Sequence, residues 1–198
     1  MNIEWIPPEP RTGLLGQWDR FIGPGATKAE NLLIWIPAFL FSIGLIIHAT
    51  VNELGWNGWQ YLVAFLIAID ITGGVIANAT NTTKRWYHRE GQTRKKLILF
   101  TANHFWHLLF VAGLFRSNDW LYFVVTYAYL MLGAFLILQV PLYLERPFAM
   151  FIYMGGLLIG LYVFSPTPGF EWFLPFFYAK LLICHLVKEA PFAADSGG

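Results

Sequence analysis

Four ionisable residues lie inside long apolar stretches of this 198-residue sequence, where such side chains are rare: Asp70, His104, His107 and Lys180. An ionisable side chain in hydrocarbon costs about 3 kcal/mol or more, so each one needs a partner, water or a ligand. A carboxylate, two imidazoles and an amine that meet in one place can donate and accept protons. These residue types predict a catalytic site that works by acid/base chemistry.

The positions of the four residues along their helices favour a common meeting point. Each lies a few helical turns from the end of its apolar stretch that is expected on the same side of a membrane. At 1.5 Å per residue, their depths agree within roughly 6 Å. Asp70 and Lys180 could equally form a buried ion pair that only fixes the register of two helices. The sequence leaves both interpretations open.

Four polar side chains on the same helices are predicted to contact a substrate: Asn78, Asn81, Asn103 and Tyr178. The first two follow Asp70 by about two and three helical turns, and the third precedes His107 by about one turn. Tyr178 lies in an aromatic-rich segment just before Lys180. An aromatic cavity would suit an isoprenoid chain, or a cationic intermediate through cation–π attraction.

The segment 82–96 is strongly basic, with six lysine and arginine residues against one acid, Glu90. Such a loop usually sets the orientation of a membrane protein and contacts lipid head groups. The other interpretation is capture of a phosphate or diphosphate head group by charged donors. The predicted donors are Lys84, Arg85, His88 and Arg89.

Composition and hydropathy define the elements that carry these residues. Hydrophobic residues make up 57% of the chain and charged residues 13%, whereas a soluble domain is about 25% charged. Apolar stretches near the length of about 20 residues that a bilayer requires cover 31–51, 59–81, 97–115, 120–140, 147–164 and 170–187. The predicted fold is therefore all-α, a polytopic membrane helical bundle with about six transmembrane helices.

Signals before the first apolar stretch predict a separate N-terminal region, 1–30. Apolar residues recur at helical spacing over 11–22, which indicates a short amphipathic helix in the membrane interface. Thr27 and Glu30 match a capping box immediately before the first span. The transmembrane bundle is assigned to 31–190 and a disordered tail to 191–198. The distribution of basic residues places both termini in the cytoplasm of a bacterial cytoplasmic membrane protein.

Metal and cofactor signals are weak. His104 and His107 form an HxxH pattern, but His48 and His185 lie at other depths, and no supporting Glu-x-x-His is present. We therefore predict no metal site, and the sequence identifies no cofactor. The single cysteine, Cys184, excludes an intramolecular disulfide.

Three functions remain open from the sequence. The first is an enzyme that acts by acid/base chemistry on a lipid-like or isoprenoid substrate from the inner leaflet. The second is a small proton-coupled transporter or channel, and the third is a haem-binding or accessory subunit of a membrane complex. Membrane lipids are the expected partners. A net charge of +1 gives no reason to expect nucleic acid, and the oligomeric state stays open.

Overall fold

The computed structural model describes residues 3–192, and every regular element in this range is helical, as predicted. Two of the helices, α6 and α9, continue directly as π-helices, over Val111–Phe115 and Ala179–His185. The helices are α1 (Gly13–Ile22), α2 (Lys28–Val51), α3 (Gly58–Ala79), α4 (Asn81–Tyr87), α5 (Arg94–Ala102), α6 (Phe105–Phe110), α7 (Trp120–Ile137), α8 (Leu142–Tyr162) and α9 (Phe173–Tyr178).

Five helical segments of the described chain are long and apolar enough to cross a membrane. They are α2, α3, the segment Arg94–Phe115 that contains α5 and α6, α7, and α8. Each has 18 to 24 residues, which corresponds to about 27 Å or more at 1.5 Å per residue. The predicted start of the fifth span at Pro147 is wrong, because α8 begins at Leu142 and includes Pro147 in its second turn.

The last predicted span is a shorter, central helix. Its helical part is limited to six α-helical and seven π-helical residues, or roughly 20 Å at 1.5 Å per residue. It packs against α3, α7 and α8, and Phe173, Phe177 and Leu181 are fully buried on it. A helix that is apolar on all sides is buried by its neighbours. This explains why its sequence resembles a membrane span although the helix is short.

The third predicted span, 97–115, is interrupted where two of the site residues lie. The backbone N–H of His104 donates to Thr101 O at 3.1 Å, three residues back. Its imidazole Nδ1 lies 2.8 Å from Phe100 O, the carbonyl that an α-helical N–H would have used. The side chain thus satisfies that carbonyl while the helix breaks between α5 and α6.

The N-terminal region folds onto one end of the bundle. The carboxylate of Asp19 accepts hydrogen bonds from Arg11 N and Nε, both at 2.9 Å, which fixes the start of α1. Trp18 Nε1 donates to Asn31 Oδ1 at 2.8 Å and ties α1 to α2. The capping box predicted at Thr27 and Glu30 is present. α1 therefore lies against the first turns of α2.

Both described chain ends meet at this same end of the bundle. Ile3 and Phe192 form an isolated antiparallel bridge, and Glu4 N donates to Pro191 O at 3.0 Å. Arg85 of α4 pairs with Glu4 at 2.6 Å. Residues 191–192 are therefore held by backbone contacts, whereas the rest of the predicted disordered tail, 193–198, lies outside the described residues.

Candidate functional site

Three of the predicted catalytic side chains, from three different helical segments, meet at one carboxylate oxygen. Asp70 Oδ2 on α3 lies 2.5 Å from Lys180 Nζ and 2.9 Å from His107 Nε2. Lys180 Nζ also donates to the backbone oxygen of Asp70 at 3.2 Å. The amine and the imidazole thus hold the carboxylate from two sides, and we call Asp70, His107 and Lys180 the triad.

Lys180 reaches Asp70 because α3 has no side chain at Gly74. A Cβ atom at Gly74 would lie 2.4 Å from Lys180 Cε and 2.8 Å from Lys180 Nζ. The lysine, only 2% exposed, therefore occupies the space above this glycine. It belongs to the π-helical part of the central helix, and such wider turns are frequent at functional sites.

Both ring nitrogens of His107 face oxygen atoms. Nδ1 lies 3.2 Å from His104 O, and Nε2 lies 2.9 Å from Asp70 Oδ2. A backbone carbonyl and a carboxylate both accept hydrogen bonds, so an imidazole that makes both bonds carries a proton on each nitrogen. His107 in that form complements the charge of Asp70.

His104, the fourth predicted catalytic residue, adjoins the triad with a different hydrogen-bonding pattern. Its ring stacks on that of His107, with centroids 5.3 Å apart. Because Nδ1 faces Phe100 O at 2.8 Å, the proton of a neutral ring lies there and Nε2 carries the lone pair. Among residues 3–192, no donor bonds to His104 Nε2 or to Asp70 Oδ1. These two atoms are the free proton acceptors of the site.

The triad and His104 line a cavity of about 410 Å³. Asp70 is accessible through it, with 34% of its side-chain surface exposed. The polar part of the wall is formed by Asp70, Asn78, Thr83, Asn103, His104, His107 and Lys180. The apolar part includes Trp18, Phe21, Ile34, Trp35 and Phe100, so α1 and α2 contribute to it.

Six of the predicted site residues line this cavity, and the other six lie elsewhere. Asn78 lines it, with Nδ2 donating to Gly74 O at 2.8 Å, and Asn103 lines it as an exposed side chain. Tyr178 is fully buried and its hydroxyl donates to Thr126 O at 3.1 Å. The remaining five, Asn81, Lys84, Arg85, His88 and Arg89, are absent from the described cavity wall.

The basic residues of α4 make contacts within the protein. Lys84 Nζ donates to Val187 O at 2.6 Å and lies 3.6 Å from Glu189. Arg85 pairs with Glu4 and also donates to Pro24 O at 3.3 Å. Burial lowers the pKa of Lys84 below its usual range. These cations join α4 to both chain ends, whereas the sequence suggested a head-group site.

His88 and Arg89, the other two residues of the predicted phosphate site, also make contacts within the protein. His88 Nε2 lies 3.0 Å from His185 O, and burial, reinforced by the nearby charge of Lys84, lowers the pKa of His88 to about 4. The Arg89 guanidinium lies over the Trp86 ring, 3.5 Å from its centroid. His88 therefore joins α4 to the last turn of the central helix, whereas Arg89 packs on α4 itself.

The structure adds cavity residues that sequence reasoning did not select, chiefly Gly74, Phe100, Trp18 and Trp35. The amphipathic pattern of α1 identified an interfacial helix, but no periodicity indicates that Trp18 covers a cavity. Gly74 follows Asp70 by about one helical turn, so the two residues share a helix face. Only the contact with Lys180 shows why a glycine is needed there.

The geometry of the HxxH histidines bears on whether these two side chains can bind one metal ion together. Within the described chain, no group of three or more histidine, cysteine, aspartate or glutamate side chains is arranged to hold a metal ion. The His104 and His107 rings stack with an interplanar angle of 16°. Two stacked rings on one helical segment are poorly placed to ligate one iron from opposite faces.

No protein-family model matches the chain, and neither a curated protein nor a solved structure matches it. The functional argument therefore rests on the site itself: its residues, their hydrogen bonds and the cavity that they line.

Proposed function

We propose that this protein is embedded in a membrane through its five long helices, with the central helix enclosed by protein. Large apolar side chains on these helices point outward, including Leu40, Leu66, Leu121 and Leu161, each more than half exposed. Water would disfavour so large an apolar surface, whereas lipid favours it. The end that carries α4 and both chain ends holds the basic residues, so it faces the cytoplasm.

Within the membrane, we propose, the protein is an enzyme that acts by acid/base chemistry on a lipid-like substrate. The observation that carries this proposal is the triad at the wall of a largely apolar cavity. A cavity of this size lies in the range of small-molecule sites, roughly 300–1,000 Å³. Ionisable groups that line such a cavity are candidates for catalysis.

The geometry suggests a division of roles among the four ionisable residues. His104 Nε2, with its lone pair free, accepts a proton from the substrate. Asp70 Oδ1 orients the reacting group, while Lys180 and His107 hold the carboxylate through Oδ2. His107 carries the proton that can return to the substrate through Asp70. The apolar side chains around them exclude water from the reacting atoms.

Turnover by purified protein tests this proposal. The protein is reconstituted into bilayers made from total bacterial membrane lipid, and substrate loss and product gain are followed by mass spectrometry. Asp70→Asn and His104→Gln are expected to lower the turnover rate by about 10²- to 10⁴-fold, the usual contribution of a general acid or base.

Tyr178→Phe is the matched control, because it removes a buried polar group that lies away from the cavity. This variant should retain turnover within about threefold, because it removes only a structural hydrogen bond and leaves the proton acceptors of the cavity in place. Wild-type turnover by folded Asp70→Asn protein would contradict the proposal.

Proton-coupled transport is the second candidate, and the Asp70–His107 contact favours it. Such a pair can exchange a proton when a transported ion or molecule arrives. On α3, however, the cavity is lined only by residues between Ile69 and Asn78, which lie in the half of the helix near the basic end. The cavity therefore covers one half of α3, whereas a transport path would follow the whole helix. Proton flux into liposomes that depends on Asp70, without any lipid conversion, would favour transport over catalysis.

A further inference from the structure

We propose that the cavity binds an uncharged lipid whose polar end is a hydroxyl group, either an alcohol or a phenol. This inference names the substrate class of the proposed enzyme and in that respect rests on the proposed function. Binding itself can be tested without turnover. Three features of the cavity wall carry the argument: its free acceptors, its remaining donors and its apolar side chains.

Two of the free hydrogen-bonding atoms of the wall are acceptors on ionisable side chains. His104 is only 8% exposed, and its Nε2 has no donor among the residues that the structure describes. Asp70 Oδ1 likewise has no described donor, because Lys180 and His107 both bind Oδ2. Asn78 uses one N–H of its Nδ2 on Gly74 O, which leaves its second N–H and its oxygen. Neither His104 Nε2 nor Asp70 Oδ1 is fully enclosed by protein, so a ligand in the cavity that brings a donor can bond to either atom.

The wall also retains donors beside these acceptors: the third N–H of Lys180, the second N–H of Asn78 and the side-chain amide of Asn103. Lys180 uses two contacts on Asp70, at 2.5 Å and 3.2 Å, and an ammonium group has three N–H bonds. A hydroxyl group donates one hydrogen bond and accepts others. It can therefore donate to His104 Nε2 or Asp70 Oδ1 and accept from Lys180. An ether of the same shape lacks the donor.

Anionic head groups fit this wall poorly. A phosphate or carboxylate oxygen would face Asp70 Oδ1 and His104 Nε2, which are acceptors themselves. Along the described cavity wall, Lys180 and the doubly protonated His107 are the cationic groups, and both are already paired with Asp70. The nearby cations of α4 bind Val187 O, Glu189 and Glu4. An anionic head group would lose its hydration and lie beside the Asp70 carboxylate.

The remaining wall suits a hydrocarbon or isoprenoid chain. Trp18 and Trp35 stack with ring centroids 5.1 Å apart, and they line the cavity with Phe21 and Ile34. These side chains come from α1 and α2, whereas the acceptors come from α3 and the α5–α6 segment. The hydroxyl end of a ligand therefore binds at the triad and its chain lies between the aromatic side chains.

Photocrosslinking with four matched probes tests the inference. Each probe is a 16-carbon chain with the same diazirine, ending in a hydroxyl, a methyl ether, a carboxylate or a phosphate. The protein is labelled in bilayer nanodiscs, and cross-linked peptides are quantified by mass spectrometry. We expect the alcohol to label peptides that contain Trp18 or Trp35 with an apparent affinity about tenfold higher than the ether, the effect of one hydrogen bond.

Variants connect the selectivity to the free acceptors. His104→Leu should abolish the preference for alcohol over ether, and His48→Leu, an exposed histidine on α2 outside the cavity wall, should preserve it. Asp70→Asn keeps the shape of the side chain and should reduce the preference. It serves as the second variant if His104→Leu protein does not elute as a single species in size-exclusion chromatography.

The possible outcomes separate this inference from the proposed function. Equal labelling by alcohol and ether, or stronger labelling by carboxylate or phosphate, overturns the inference. Selective alcohol binding without conversion of any hydroxyl lipid supports the inference and counts against the enzyme. Conversion of an anionic lipid without alcohol selectivity supports the enzyme and overturns the inference.

Discussion

At the scale of single residues, the triad shows how a carboxylate, an amine and an imidazole can be accommodated beside apolar helices. Lys180 is nearly fully buried, and its ammonium group lies 2.5 Å from Asp70 Oδ2. Burial of two charges costs several kcal/mol for each, and their attraction repays this cost only when the geometry is good. The pair is therefore a constraint on the fold as well as part of the proposed site.

Lys180→Met should destabilise the protein, because it leaves Asp70 without its ammonium partner. We expect a loss of about 3 kcal/mol in the free energy of unfolding, as for other broken buried pairs. The measurement is reversible SDS unfolding of the protein in mixed micelles. The double variant Asp70→Asn/Lys180→Met should regain at least half of the loss, since it removes the carboxylate that Lys180→Met leaves without its ammonium partner. A single variant as stable as wild type would show that the pair contributes little.

His88 contacts His185 O and so joins α4 to the central helix. This contact makes the stability of the folded protein sensitive to acid. Its pKa is lowered to about 4 in the folded protein, whereas the usual value is 6.5. The unfolded chain therefore binds a proton first, and stability falls as the pH drops from about 6.5 to about 4. The loss is at most about 3 kcal/mol, from 1.36 kcal/mol per pH unit.

His88→Gln should flatten this pH dependence, because glutamine can still donate to His185 O but does not titrate. The test is the melting temperature of the detergent-solubilised protein at pH 7 and at pH 4. Exposed His48 provides the control: His48→Gln should leave the pH dependence unchanged. An equal loss of stability on acidification in wild type and His88→Gln would refute the assignment to His88.

At the scale of elements, the central helix decides where the site lies. Its π-helical part presents Lys180 to α3, and its other buried residues pack against α7 and α8. Gly74 allows the lysine to cross α3 at close range. On the α5–α6 side of the cavity, the helix breaks at His104, which lines the cavity, and His107 contacts Asp70. The site therefore depends on two irregular helical segments and one glycine.

Gly74→Ala should displace Lys180 from Asp70. The added Cβ would lie 2.4 Å from Lys180 Cε, and overpacking of this kind costs about 1–3 kcal/mol. Turnover should fall together with stability, because the carboxylate loses its ammonium partner. SDS unfolding measures the first effect and the lipid conversion assay the second.

Gly44→Ala is the matched control for this substitution, since Gly44 lies on α2 with no described heavy atom within 4 Å of the added Cβ. Helix propensity alone predicts that it stabilises the protein, by up to about 1 kcal/mol. Equal behaviour of the two alanine variants would contradict the role given to Gly74.

At the scale of the whole molecule, the described chain ends and α4 form a single end of the bundle. The bridge between Ile3 and Phe192 and the Arg85–Glu4 ion pair join these segments. The arrangement agrees with the distribution of basic residues, which also places them on one side. In the proposed topology, the cavity lies near the cytoplasmic surface, with α1 in its wall.

Cysteine labelling tests this orientation. Cys184 is the single cysteine, so Cys184→Ala provides a background without thiols. In it, Glu90→Cys on the basic segment and Gly58→Cys at the start of α3 introduce thiols at exposed positions. A membrane-impermeant maleimide should label Gly58→Cys in intact cells and Glu90→Cys only in inverted vesicles. Labelling of both from the same side would contradict the proposed topology.

The sequence was enough to predict the all-helical fold and to select the candidate site residues. Apolar stretches long enough for a bilayer are a local property, and so is the capping box at Thr27 and Glu30. The cost of an ionisable group in an apolar stretch singled out Asp70, His104, His107 and Lys180 without any knowledge of the fold.

The partners of these residues follow from contacts between helices that are distant in sequence. The length of the last helix and its central place depend on burial by α3, α7 and α8, because a buried helix and a lipid-facing helix can have the same composition. The basic residues of α4 reach chain ends that are distant in sequence. The rotation of each helix, set by packing between helices, brought Asn78 and Asn103 to the cavity and left Tyr178 elsewhere.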